Sequence, residues 1–157
     1  MRRTHPSAVV ACLVAGAVVG YLGDLLLVTS GANALVPPLS LPITLVGVAI
    51  IVVLLAWPIR RAVTGASKAR VDPFRAMRVA VLAKASSLAG GLLAGLGLGI
   101  ALFLATRAVV PNPGMIWLAL ATAIGAALLL AGGLVAEWFC TLPPDDPDAE
   151  REEHARA

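Results

Sequence analysis

The stretch LLLVTSGANALVPPLSLPITLVGVAIIVVLLAWPI, residues 25–59, carries no charged side chain. It is too long for a single membrane crossing, which takes about 20 mostly apolar residues. Ser30, Gly31, Asn33, Pro37, Pro38 and Pro42 cluster inside it, and such residues break regular structure. Within hydrocarbon an unpaired backbone N–H or C=O is costly, so a cluster of breakers belongs at the water interface. The stretch therefore reads as the end of one span, a loop over 30–39, and a second span over 40–59. Ser40 is the expected N-cap of that second helix, Pro42 is tolerated in its first turn, and Trp57-Pro58 is its expected end.

Outward from this stretch the chain continues in the same manner. Residues 6–23, 85–106 and 108–136 are also free of charge. Apolar residues make up 59% of the 157-residue chain, charged residues only 13%, and the mean hydropathy is +0.92, a composition outside the range of soluble domains. The expected fold class is an all-α membrane protein of four transmembrane helices in an up-down bundle. Its segments are a basic N-terminus (1–6), the first span (7–29), a loop (30–39), the second span (40–59) and a basic loop (60–71). An amphipathic entry leading into the third span (72–106) follows, then a turn (107–114), the fourth span (115–139) and an acidic tail (140–157). Asp72-Pro73 suits the start of the third helix, because Asp caps and Pro fits the first position. The tail holds six acidic and two basic residues from Asp145 onward and has little apolar surface to bury, so disorder is expected there.

Charge sets the expected orientation. Eleven of the twelve Lys and Arg residues fall before residue 4, between Arg60 and Lys84, or in the tail; only Arg107 lies elsewhere. Four spans put those three regions on one side, and the positive-inside rule makes that side the cytoplasm. The net charge of +3 and pI of 9.4 thus have a membrane explanation. Arg75, Arg78 and Lys84 are expected at the anionic inner lipid headgroups, where long side chains snorkel. The basic loop lacks interleaved aromatics, which argues against nucleic acid as a partner. Trp117 and Trp138 are 21 residues apart, roughly 31 Å of helix at 1.5 Å per residue. With Trp57 they read as interface anchors.

Small residues four apart let helices approach closely in lipid. Ser87, Gly91, Gly95 and Gly99 form such a ladder in the third span, Gly16 and Gly20 in the first, and Ala119, Ala123, Ala127 and Ala131 in the fourth. The expectation is a central third helix packed against the first and fourth, with a homodimer seam as the competing use of the glycines. The charges near span ends read as two structural pairs: Asp24 with Arg107 at the outer surface, and Glu137 with Lys84 (or Arg78) at the inner one.

No catalytic, metal or cofactor signature emerges. Gly23-Asp24 keeps only half of the Gly-x-Gly-Asp motif of intramembrane aspartyl proteases, and no second membrane aspartate is present. Serine proteases of the membrane need a positioned base, and the only histidines, His5 and His154, lie in the tails. Lys84 beside Ser86 and Ser87 lacks the context of a Ser-Lys pair, and Gly95, Gly97 and Gly99 lie in an apolar span where no phosphate reaches. Cys12 and Cys140 are too few for a disulfide framework and fall near cytoplasmic helix ends. The N-terminal apolar run continues to Val28 and reads as a span rather than a cleaved signal peptide.

Three segments carry a resemblance. They are Val71-Asp72-Pro73-Phe74-Arg75-Ala76-Met77-Arg78 with its continuation Leu82–Gly90, Leu35-Val36-Pro37-Pro38 before the second span, and Cys140-Thr141-Leu142-Pro143-Pro144-Asp145-Asp146 after the fourth. Together they resemble a small actinobacterial membrane-protein family catalogued as domain of unknown function 3180. The resemblance implies four spans and a bacterial plasma membrane. It implies no activity and carries no catalytic residue over, and the frequent neighbourhood of folate-biosynthesis genes is an association without a mechanism. The functional expectation is a non-enzymatic membrane subunit or scaffold that binds a membrane-protein partner or a second copy. The alternative is a small oligomeric carrier or channel for a metabolite.

Overall fold

The computed structural model describes residues 6–63, 73–107 and 112–140. The extreme N-terminus, most of the basic loop, residues 108–111 and the acidic tail from Thr141 lie outside the described residues, and so do the expectations placed on them. Four helices account for almost all that is described: α1 (Pro6–Thr29), α2 (Ser40–Val63), α3 (Pro73–Ala105) and α4 (Pro113–Cys140). Each is long and apolar enough to cross a membrane. Large apolar side chains such as Val10, Leu26, Ile43, Leu54, Leu102 and Ile124 point outward, as a lipid-facing surface requires.

The helix ends follow local chemistry. Gly31 closes α1 with a positive φ of 83°, while Gly31 N–H donates to the Val28 carbonyl at 3.1 Å and Ala32 N–H to the Leu27 carbonyl at 2.9 Å. This is the Schellman arrangement, which needs the left-handed conformation that glycine adopts without strain. Asn112 caps α4: its Oδ1 accepts from Gly114 N–H at 3.1 Å, and its carbonyl accepts from Met115 N–H at 2.8 Å. Pro113 sits at the first helical position, where a missing N–H costs nothing. One end differs from expectation: α2 runs through Pro58 to Val63. Pro58 removes one intrahelical hydrogen bond, and the helix continues past it to Arg60 and Arg61, which favour the negative end of the helix dipole.

Successive helices alternate in direction, yet they do not form a closed square. Among the described helices α1 packs against α3 alone, α3 also packs against α4, and α2 lies mainly on α4 with a narrow border on α3. The order across the bundle is α1, α3, α4, α2. Contacts along the glycines give the senses. Gly91, Gly95 and Gly99 of α3 meet Val9, Leu13 and Ala17 of α1, so that pair is parallel; Gly90 and Gly97 meet Leu130 and Ala123, so α3 and α4 are antiparallel. Gly125 against Pro42 and Gly132 against Ala49 make α2 and α4 parallel.

Three apolar clusters fill the seams. Val52, Ala56, Ile59, Val79, Ala83 and Ala136 join α2, α3 and α4 at one end. Leu45, Ala49, Ala94, Ala126 and Leu129 form the middle. Ile100, Ala101, Leu104 and Ala119 close the other end, with Ala34 of the 30–39 loop against them.

Candidate functional site

Three places bring together the residues that the sequence singles out: the α3 seams, the end holding Asp24, and the end holding Trp138. The α1–α3 seam is reciprocal. A Cβ on Gly16 or Gly20 would overlap the backbone carbonyls of Leu92 or Leu96, and one on Gly95 or Gly99 would overlap those of Leu13 or Ala17. Both helices thus use small residues four apart to bring backbone against backbone, the packing that replaces the hydrophobic effect inside lipid. The glycines serve an internal seam of the chain.

The α3–α4 seam corrects two details of the expected ladders. Ser87 is fully buried, but it faces α4: a Cβ on Gly133 would lie 2.7 Å from Ser87 N. On α4, Ala119 and Ala123 are buried while Ala127 and Ala131 are exposed, and Ala126, Gly133 and Ala136 take the inner positions. The reason is rotation. A step of four residues overshoots a full turn by about 40°, so a strict four-residue ladder drifts around the helix. The α3 positions Ala83, Ser87, Gly90, Ala94, Gly97 and Ala101 alternate steps of four and three, which keeps them on one line against α4. The hydroxyls buried there return to their own helices: Ser87 Oγ donates to the Lys84 carbonyl at 2.9 Å and Thr122 Oγ1 to the Leu118 carbonyl at 2.9 Å.

Asp24 is 1% exposed. Its expected pairing with Arg107 is not what the structure holds. Oδ1 accepts from Leu35 N–H at 2.8 Å, Oδ2 is buried with no hydrogen-bond partner among the described residues, and the Arg107 guanidinium lies 4.7 Å from the centre of the Phe103 ring. Phe103 in turn meets Tyr21 edge to face at 5.6 Å. The 30–39 loop folds back over α1 and reaches the carboxylate before any cation does, whereas Arg107 stays exposed at the end of α3. Asp24 therefore works as a tether for the loop. Asp24→Asn retains an acceptor for Leu35 N–H, so its stability is expected within about 1 kcal/mol of the parent, while Asp24→Leu strands that N–H and loses about 1–3 kcal/mol. Unfolding in mixed micelles reads the difference, and equal behaviour of the two variants would remove the tether.

At the opposite end lie the residues of the other expected pair, Lys84 (or Arg78) with Glu137. Lys84 is exposed on α3 and Arg78 is exposed as well, while Glu137 is half-buried and has contacts of its own. The side chains that do meet are aromatic and arginine. The Arg60 guanidinium lies 4.4 Å from the ring centres of both Trp138 and Phe139, and Arg61 lies 5.8 Å from that of Trp57. Trp57 and Trp138 both contact Phe139, at 6.3 and 5.6 Å between ring centres. Cation–π attraction operates over this range. Trp57 and Trp138 remain half exposed, and Trp117 at the far end is 71% exposed. Sequence reasoning names the tryptophans as separate anchors and misses Arg60 and Phe139, because nothing in the spacing shows that α2 and α4 end side by side.

Among the described residues no three His, Cys, Asp or Glu side chains gather where they could hold a metal ion. Comparison with known proteins then gives one result: the family model for a protein of unknown function, DUF3180, matches residues 9–144. The chain belongs to this family. The DUF3180 match begins inside α1 and ends just beyond α4, so it covers α2, α3 and α4 whole and all of α1 but its first three residues. No curated protein and no solved structure matches the chain.

Proposed function

We propose that this DUF3180 chain is a non-enzymatic subunit or scaffold of a bacterial plasma membrane, which binds a partner from its cytoplasmic side. The packing of α3 carries the reading. Its small-residue faces meet α1 and α4 backbone to backbone, and the Ser87 and Thr122 hydroxyls turn back on their own helices. The interior is filled by helix contacts instead of being lined for a permeating solute. Charge supports the orientation. α2 ends where α3 begins, with Ile59 against Val79, and this junction gathers Arg60, Arg61, Arg78 and Lys84, whereas Arg107 stands at the other end. Positive residues favour the cytoplasmic side.

Reporter fusions test the topology: cytoplasmic signals are expected at Ser67 and Ala149, and external ones at Asn33 and Asn112. A reversed set refutes the orientation. Crosslinking in native membranes followed by purification of the full chain tests the function. The expected result is one partner recovered in fixed proportion to the chain and lost when Arg60, Arg61 and Lys68 are replaced by glutamine. Solute flux into vesicles that contain this chain alone would overturn the reading in favour of a carrier.

A further inference from the structure

We propose that Arg60 and Arg61, framed by Trp57, Trp138 and Phe139, form a discrete site for the phosphate of an anionic phospholipid headgroup. The proposal rests on the cytoplasmic assignment of this end and adds a ligand to it. A diffuse basic surface attracts anionic lipid without selecting a position; the geometry here is more particular. Arg60 is held against two rings, each 4.4 Å from its guanidinium carbon, and Arg61 against a third. Phe139 touches both tryptophans, so the three rings form one continuous support beneath the arginines. Contact with the rings restrains the guanidinium, and its N–H donors lie in the plane of the group. That planar fork matches two oxygens of a phosphate. Holding a side chain before binding also lowers the entropy lost on binding.

Depth and charge select the ligand. Trp57 and Trp138 lie near the ends of apolar helices and are 50% and 55% exposed, which is the headgroup level for tryptophan. Arg60, Arg61, Glu137 and Trp138 have further contacts of their own; a guanidinium carries five N–H donors, so one partner does not exhaust it and a phosphate oxygen can share the group. Within the site two cations, Arg60 and Arg61, stand against one neighbouring carboxylate, Glu137, a balance of 2 − 1 = +1. The anions that a membrane itself presents at headgroup depth are chiefly lipid phosphates.

The full chain in an uncharged detergent, titrated with phosphatidylglycerol and read by native mass spectrometry, tests this. One phosphatidylglycerol per chain is expected to bind at least about tenfold more tightly than the next, the scale of a charge-assisted hydrogen-bonded contact, with phosphatidylcholine showing no such first step. Arg60→Gln and Trp138→Leu are expected to abolish the step, whereas Arg78→Gln and Lys84→Gln preserve it. Circular dichroism checks folding. If Arg60→Gln does not fold, Arg60→Lys decides, since it keeps the charge and loses the planar fork; it too is expected to abolish the step. Graded binding with no tight first lipid, or equal losses across Arg60→Gln, Arg78→Gln and Lys84→Gln, would overturn the site. Displacement of the lipid by millimolar inorganic phosphate would overturn the lipid as its ligand. Binding in micelles does not depend on which way the chain faces, so a negative result leaves the topology untouched, and reversed reporter signals leave the site untouched.

Discussion

Gly95→Leu is expected to release α1 from the rest of the protein. A Cβ at this position overlaps the Leu13 carbonyl and lies 2.9 Å from Ala17 N. Both neighbours are backbone, so no change of rotamer relieves the clash, and the helices must separate. Overpacking a core side chain costs about 1–3 kcal/mol, and a clash with backbone belongs at or above the top of that range. The consequence is large because α1 has no second support: among the described helices it touches only α3. Cys12 lies in the same seam, with its Cβ 3.8 Å from a Cβ built on Gly91. Alkylation of Cys12 should therefore accelerate in Gly95→Leu. Gly23→Ala and Gly47→Ala are the controls. Nothing lies within 4 Å of a Cβ at either site, and alanine in a helix gains about 0.4–1 kcal/mol over glycine when it meets no obstacle. Equal stability of Gly95→Leu and Gly23→Ala in mixed-micelle unfolding would refute the α1–α3 seam.

The second large effect lies between neighbouring glycines of α4. A Cβ on Gly133 would sit 2.7 Å from Ser87 N and 2.9 Å from the Ala83 carbonyl, whereas one on Gly132 meets the Ala49 side chain and carbonyl at 3.4 Å. Gly133→Leu forces α3 and α4 apart where Ala83, Ala136 and Val52 pack together. A loss of about 3 kcal/mol or more is expected. Gly132→Ala asks α2 to yield by a few tenths of an ångström and should stay within about 1 kcal/mol of the parent. The two variants differ by one position and separate the account from any general intolerance of glycine replacement. Parallel losses in both would show that α4 does not face α3 through Gly133.

How much of this was legible in the sequence depends on the kind of signal involved. The number of helices follows from hydropathy, because lipid demands long apolar helices and pushes breakers such as Gly31, Pro37 and Pro38 to their ends. The α3 glycines were legible for a related reason: glycine contrasts with leucine, and a face without side chains is visible at four-residue spacing. On α4 the contrast fails. Alanines and glycines occur on every side of that helix, so the sequence offered several equivalent registers. The partner helix selects among them, which is how Gly133 and Ala126 came to be inside and Ala127 and Ala131 outside.

Charges were the least legible. Opposite signs at similar depth suggested Asp24–Arg107 and Glu137–Lys84, because depth is readable from a sequence and azimuth around a bundle is not. Asp24 instead meets a backbone N–H that the 30–39 loop delivers, and a returning loop leaves no periodic trace. Arg60 meets the rings of α4 because α2 and α4 run parallel and end side by side. Chain order alone would place α2 next to α1 and α3. The placement of α2 against α4 is thus what the sequence supports least directly. The arrangement the proposed function depends on most, α3 at the centre with α1 held at its side, is the one the glycines foreshadow.

One substitution measures it. Gly91→Cys places a second thiol-bearing Cβ 3.8 Å from the Cβ of Cys12, a separation typical of a disulfide. In a Cys140→Ser background, mild oxidation of the full chain in native membranes is predicted to join the introduced cysteine to Cys12 within one chain, giving a monomer with no free thiols. A disulfide-linked dimer would assign the glycine ladder to a seam between copies, and two thiols that stay free under oxidation would place α1 away from α3; either result contradicts the account.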